Sequence, residues 1–209
     1  MRRARGAAAL RDRVGRRWYK WRMQAIRTVR SDDVRPVPWR NGGGTTRELL
    51  ALPAGDDAWR LRVSVADVVA DGPFSSFPGV SRWFAVIAGA GVVLDVDGVE
   101  HRCSADGEAL AFAGAAATRA RLIAGPTRDL NLMVRGAVGL LRRVVRGEAF
   151  RPGGHACGLY AIDAGRVHGD DDCAGPMPAH ALRWWPSAPA RLAFDGAGWW
   201  LAADPAVAP

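Results

Sequence analysis

The sequence predicts an all-β fold, an antiparallel sandwich or barrel, and three observations carry that prediction. Turn signals recur about every ten residues, apolar and polar residues alternate between them, and no stretch sustains a helical period. Twenty-five glycines and 13 prolines among 209 residues supply the tight turns such a fold needs.

Patterned sequence begins just after Met23, at Ile26 and Val29. Residues 45–50 form the first candidate strand. In residues 60–65, Leu61, Val63 and Val65 alternate with Arg60, Arg62 and Ser64, so period two sends the sets to opposite faces. Gly72-Pro73 and Pro78-Gly79 read as turns. Strands are expected at 83–88, 92–96 and 99–103. Gly89-Ala90-Gly91 separates the first two, and Asp97-Gly98, a pair that tolerates positive φ, makes a two-residue hairpin between the others. Residues 109–112, 119–123, 130–134 and 140–146 follow. From Arg151 to Pro178 Gly, Pro and Asp dominate and strands must be short. The best later candidates are 182–185, 191–194 and 199–201.

Composition narrows the function classes. Hydrophobic residues make up 49% of the chain, enough for a substantial core. No apolar run reaches the roughly 18 residues that span a bilayer, so no membrane is expected as a partner. The net charge of +8 suggests nucleic acid until it is located. Residues 1–22 hold nine basic groups and one acid, a net of +8. The remaining residues hold 29 − 9 = 20 basic and 21 − 1 = 20 acidic groups. A balanced body lacks a phosphate-binding footprint, so no nucleic-acid partner is expected. Residues 1–22 read as a basic, disordered, dispensable extension, with Met23 as the biological start. A basic arm for an acidic surface and a targeting segment are the alternatives, although Ala7 to Leu10 is too short for a signal-peptide core. Three cysteines, Cys103, Cys157 and Cys173, without any CxxC, suit a reduced, cytoplasmic protein.

Three segments stand out. Pro38-Trp39-Arg40-Asn41-Gly42-Gly43-Gly44-Thr45-Thr46-Arg47-Glu48 is glycine-rich, but no Lys-Ser/Thr or helical pattern follows, which excludes a P-loop. In Leu61-Arg62-Val63-Ser64-Val65-Ala66-Asp67, Arg62 and Ser64 share a face. If Leu61 and Val63 fill an apolar layer, Arg62 faces a barrel lumen, where a guanidinium is a good fork for a carboxylate or must pair with an internal acid such as Glu48. In Asp129-Leu130-Asn131-Leu132-Met133, Asn131 shares a face with Asp129 and Met133, and a buried Asn must find backbone or ligand partners.

Together with Gly72-Pro73-Phe74-Ser75-Ser76-Phe77-Pro78-Gly79 and Arg82, these segments resemble, in order and spacing, the HutD/Ves family, over about residues 24–145. Leu61 stands where the family often has Trp, Ala115 where an Asp is usual, and Val134 where a second Arg is common, which puts any role for Arg135 in doubt. The resemblance implies a bicupin: a cupin-like double-stranded β-helix, an RmlC-like jelly roll in two fused barrel halves, about 23–125 and 126–209. It also implies an association with bacterial histidine utilisation and a regulatory protein that binds a small carboxylate such as formylglutamate. The ligand-binding residues expected are Arg62, Ser64, Asn41, Glu48 and Asn131. Many cupins hold a metal through His-x-His. Here His101, His155, His168 and His180 are scattered, so neither a metal nor another cofactor is expected. A rival reading is a metal-independent isomerase or hydrolase using Glu48 or Asp129 as acid or base. A third is an interaction module with an exposed patch of Trp184, Trp185, Trp199 and Trp200. A homodimer is left open.

Overall fold

Strands that are apolar on both faces need a neighbouring layer on each side. The computed structural model, which describes residues 25–55, 59–152, 156–169, 172–187 and 189–205, answers this with four stacked sheets. The basic segment 1–22 lies outside the described residues. The strands run β1 (Arg27–Arg30), β2 (Val37–Pro38), β3 (Gly44–Leu52), β4 (Leu61–Val68), β5 (Gly72–Pro73), β6 (Ser81–Ala88), β7 (Val92–Val96), β8 (Val99–Cys103) and β9 (Leu110–Ala113). They continue as β10 (Thr118–Leu122), β11 (Thr127–Val134), β12 (Ala137–Arg143), β13 (Ala156–Ala161), β14 (Gly165–His168), β15 (Gly175–Met177), β16 (Ala181–Trp185), β17 (Ala193–Phe194) and β18 (Gly198–Pro205). A single 3-10 turn, Ser31–Asp33, is the one helical element among the described residues. Among them no helix is long and apolar enough to cross a membrane.

In the first half a six-stranded sheet, β2-β3-β4-β11-β6-β9, faces a four-stranded one, β5-β10-β7-β8. In the second half β1-β16-β13-β18-β12 faces β15-β14-β17. The two large sheets pack back to back. Leu61, Val63 and Val65 of β4 and Leu130, Leu132 and Val134 of β11 meet Tyr160, Leu182, Trp184, Trp199 and Leu201 across that contact. The apolar layer that period two asked of Leu61 and Val63 is therefore the seam between halves. Gly139 of β12 allows the closest approach: a Cβ there would sit 2.6 Å from the Trp83 ring of β6.

The expected divide at 125/126 does not follow sheet membership at two strands. β11 lies past it in sequence but runs between β4 and β6, inside the first-half sheet. β1 precedes it but pairs with β16 in the second-half sheet, Arg27 opposite Trp184. Ser31 anchors this crossing, its N–H donating to the His180 carbonyl at 2.8 Å and its Oγ lying 3.1 Å from the buried Tyr160 hydroxyl. Asp97-Gly98 forms the expected two-residue hairpin, Val96 opposite Val99 and both turn residues at positive φ. Gly72-Pro73, read as a turn, is instead the short edge strand β5, paired with β10. Pro is tolerated there because an edge leaves one N–H side unpaired.

The tryptophan patch is also corrected. Trp184, Trp185, Trp199 and Trp200 are all buried. Consecutive residues point to opposite faces, so Trp184 and Trp199 enter the seam, while Trp185 and Trp200 fill the second half with Phe150, Phe194 and Leu192. Phe150 stacks on Trp200 with ring centroids 4.9 Å apart. Trp199 is wholly buried, with the Arg143 guanidinium 4.5 Å above its ring. Trp199→Ala should lower the unfolding free energy by about 3–5 kcal/mol. Urea titration should find a lower midpoint at an unchanged slope; a cost under about 1 kcal/mol would mean that the seam does not hold the halves together.

Candidate functional site

The same alternation that fills the seam turns the even-numbered residues of β4, the odd-numbered ones of β11 and the even-numbered start of β6 into the first barrel. There polar side chains interrupt the apolar packing. A cavity of about 690 Å³ opens between the six-stranded sheet and the segments 37–41 and 73–77. Arg62, Ser64 and Ala66 of β4, Arg82 of β6 and Asp129, Asn131 and Met133 of β11 line it, with Thr46 and Glu48 of β3.

A β-bulge sets β3. Glu48 pairs with Ser64 but Leu50 pairs with Val63, so Leu49 is the extra residue. Before the bulge Thr46 and Glu48 face the cavity; after it Leu50 and Leu52 face the seam. Without the extra residue one of those two sets would point the wrong way. The glycine run shapes the rim. Gly42 takes φ 71°, and a Cβ on Gly44 would sit 2.3 Å from the Asp67 carbonyl oxygen and 3.0 Å from the Trp39 ring. Trp39 can therefore lie over β3, donating its indole N–H to Thr46 Oγ1 at 2.7 Å and meeting Phe74 edge-on. Asn41 accepts the Gly43 N–H on Oδ1 (3.0 Å) and donates Nδ2 to the Pro73 carbonyl (3.3 Å), tying the two lips together.

All five residues singled out from sequence, Asn41, Glu48, Arg62, Ser64 and Asn131, line this one cavity. Arg62 also makes the internal pair weighed against a ligand role: its Nε donates to Glu48 Oε2 at 2.7 Å, with the Arg62 side chain 19% exposed and Glu48 47%. The pairing and a ligand role are compatible, because Nε is only one corner of the guanidinium. Asn41 works through the backbone and builds the rim.

Sequence reasoning gave Arg82 no role, yet it is a buried cation in the cavity wall. It is 7% exposed, its guanidinium carbon 4.8 Å from the Phe74 centroid and 5.3 Å from that of Phe112. Burial lowers its pKa to about 10, opposed by the charge of Asp129, so it stays a cation at neutral pH. The missed signal was strand length. With the strand begun at Trp83, Arg82 fell in a loop, whereas β6 begins at Ser81 and puts Arg82 in the lumen series with Phe84 and Val86. Arg82 donates Nε to Asn131 Oδ1 at 2.9 Å, and Asn131 donates Nδ2 to Asp129 Oδ1. The other Asp129 oxygen, Oδ2, is sealed from water and has no hydrogen-bond partner among the described residues. Burial pushes the Asp129 carboxyl up to about 7, with Arg82 and Asn131 holding it back. The lining thus carries three guanidinium groups, from Arg40, Arg62 and Arg82, against two carboxylates, one of them half protonated near neutrality.

Arg135 serves the rim: it stacks 5.2 Å from the Trp59 centroid and donates to the Pro78 carbonyl at 2.9 Å. Among the described residues no group of three His, Cys, Asp or Glu could hold a metal ion, and His155 lies outside them.

The family model described as HutD matches residues 31–200. An uncharacterized 21.2 kDa protein in the hutC 3′ region of Pseudomonas putida is 37% identical over 112 residues, 53% of this chain and 59% of that one. Protein Ves of Citrobacter koseri is 36% identical over 108 residues, 49% of this chain and 56% of that one. The chain thus spans little more than half the length of these curated relatives. HutD from Pseudomonas fluorescens SBW25 superimposes with a TM-score of 0.75 at 29% identity, covering 86% of this chain and 98% of that one. A conserved protein of unknown function from Pseudomonas aeruginosa PAO1 gives 0.75 and 29%, covering 87% and 98%. At the level of fold alone, a Bacillus subtilis oxalate decarboxylase mutant gives 0.57 at 9% identity, covering 87% and 78%. The cupin fold expected from the motifs is the fold found.

The folded Asp129 carboxyl titrates near 7, against an ordinary value of 3.8. Between those values the folded chain keeps a proton that the unfolded chain has released, so stability falls as pH rises through this window. Asp129→Asn keeps the shape and removes the charge. Its melting midpoint should exceed that of the wild type by several degrees at about pH 8, with the gap narrowing steadily from about pH 7 to pH 4. A gap that does not change with pH would contradict the assignment.

Proposed function

The chain belongs to the HutD family, and we propose that its first-half cavity binds a small carboxylate metabolite of the formylglutamate type and that occupancy moderates histidine utilisation. The observation that carries this reading is Arg82, a buried cation on the floor of an open cavity. Asn131 occupies its Nε, and among the described residues no hydrogen bond is recorded for its terminal NH2 groups. Arg62 on the wall offers a second guanidinium already oriented by Glu48. A buried guanidinium such as that of Arg82 attracts a carboxylate more strongly than a surface arginine does. A charge-assisted contact of this kind contributes on the order of 1.5–3 kcal/mol. The described core of the second half is packed with Phe150, Trp185, Phe194 and Trp200, whereas the polar cavity lining lies in the first half, which favours the first half as the binding half. The link to histidine utilisation comes from the family and from the Pseudomonas putida relative, named by its place beside hutC. A cytoplasmic setting agrees with Cys103 and Cys157, buried thiols outside any disulfide.

One observation favours a second reading, a metal-independent isomerase or hydrolase. Asp129, titrating near 7 beside the cavity, is suited to general acid or base work, whereas Glu48 is held by Arg62. Incubation with N-formyl-L-glutamate, followed by NMR, decides: formate release or isomerisation by the wild type, absent in Asp129→Asn, would establish an enzyme.

Calorimetric titration of the chain with N-formyl-L-glutamate tests the binding reading. Arg62→Lys keeps the charge but loses the planar fork and should weaken binding by roughly ten- to a hundredfold at little change in melting midpoint. Loss of stability in that variant, with no binding by the wild type, would leave Arg62 as the partner of Glu48 and nothing more.

A further inference from the structure

We propose that the cavity floor is a proton-coupled carboxylate site, in which a guest carboxylate docks on the Arg82 guanidinium while the buried Asp129, linked to the same guanidinium through Asn131, takes up a proton. This deepens the carboxylate-binding reading and rests on it.

The geometry is a relay with one free end. Asn131 is committed in both directions, accepting from Arg82 Nε and donating to Asp129 Oδ1. Its amide orientation is fixed by those two bonds, and Asp129 Oδ1 is fixed as an acceptor. Any proton on Asp129 therefore sits on Oδ2, the oxygen with no partner among the described residues. As an anion that oxygen is an uncompensated buried charge; as a hydroxyl it is a buried donor without an acceptor. Either way its state is set by the charges around it, because it has no hydrogen bond of its own among the described residues.

The charged and titratable neighbours set which form the guest selects. From β6, Arg82 faces the carboxyl through Asn131 and favours the anion. From β4, Asp67 on the far side of the sheet favours the acid, although Arg47 and Arg128 already bind it at 2.5 and 2.6 Å. From β8, Cys103 is a buried thiol, itself pushed up to about 11 by burial and the Asp129 charge. Arg62 and Glu48 lie along the same cavity as a mutual ion pair. The empty site thus balances one acid against one free guanidinium. A guest carboxylate adds a second negative charge beside the same cation. Two carboxyl groups sharing one cation hold a proton between them more readily than either does alone. The proton comes from solvent, and no other bond is made or broken. The class of ligand follows: an acid that enters carboxylate first and meets a cation already shared with a buried carboxyl.

Calorimetry in paired buffers of different ionisation enthalpy reads the proton directly. The full chain is titrated with N-formyl-L-glutamate and, separately, with glutarate, which lacks the formamide. At about pH 8 both should bind with uptake approaching one proton per guest; at about pH 6, where Asp129 is already protonated, uptake should fall towards zero. Wild-type affinity should weaken by up to about tenfold per pH unit above pH 7. Asp129→Asn, which carries neither the charge nor the titrating proton, should show no uptake and a pH-independent affinity, and should bind more tightly than the wild type above about pH 8. Wild-type binding at pH 8 with heats independent of buffer would overturn the proton coupling and leave carboxylate binding standing. So would a folded Asp129→Asn protein that still takes up the proton. Failure of both acids to bind the wild type would overturn the carboxylate-binding reading, and this proposal with it.

Discussion

The back-to-back contact of the two large sheets is the constraint on which the rest depends. Once Leu61, Val63, Val65, Leu130, Leu132 and Val134 are committed to the seam, alternation leaves no freedom for their neighbours. Arg62, Ser64, Asp129 and Asn131 must enter the first barrel, at the cost of desolvating charges. The seam therefore fixes the site from behind. A slip of one residue in β4 or β11 would send arginine and aspartate into the apolar seam and leucines into the cavity. The bulge at Leu49 brings β3 into line by changing its facing between Glu48 and Leu50.

The two halves use one architecture in opposite ways. In the second, β16 and β18 send Trp185 and Trp200 inward, where Phe150, Phe194 and Leu192 complete a packed interior. In the first, the corresponding layer holds polar groups around open space, and the apolar side chains that remain, Phe84, Val86, Val92 and Leu94, gather at one end. The filled half gives rigidity to a wall of the empty one. Its Trp184 and Trp199 brace the very strands whose other faces carry Arg62 and Asp129.

Much of this was legible in the sequence because β4 and β11 are long, regular and polar in unexpected places. Alternation set Arg62 beside Ser64 and Asn131 beside Asp129 on their own strands, and the glycine run with Asn41 stood out as a motif. Arg82 and β1 were harder for physical reasons. Arg82 sits one residue inside a strand end, where propensity says least. β1 is four residues with little burial, and its pairing with β16 is a long-range event that no local pattern encodes. The relay from Arg82 through Asn131 to Asp129 depends on the register between β6 and β11, which sequence spacing alone does not supply.

That pairing of β1 has a consequence for how the molecule comes into being. The strand is the first of the described segments to leave the ribosome, and its partner, Ala181–Trp185, is among the last. Until β16 emerges, the first barrel can assemble from its own strands while β1 waits with nothing to pair against. Closure is then a single late event, in which Arg27 to Arg30 join the edge of a sheet made some 150 residues afterwards, a separation set by the register Arg27 to Trp184. The nascent chain thus carries an unfinished edge that is satisfied only once Trp185 has emerged, so a product that stops short of it would differ from the finished protein at β1 as well as at its back.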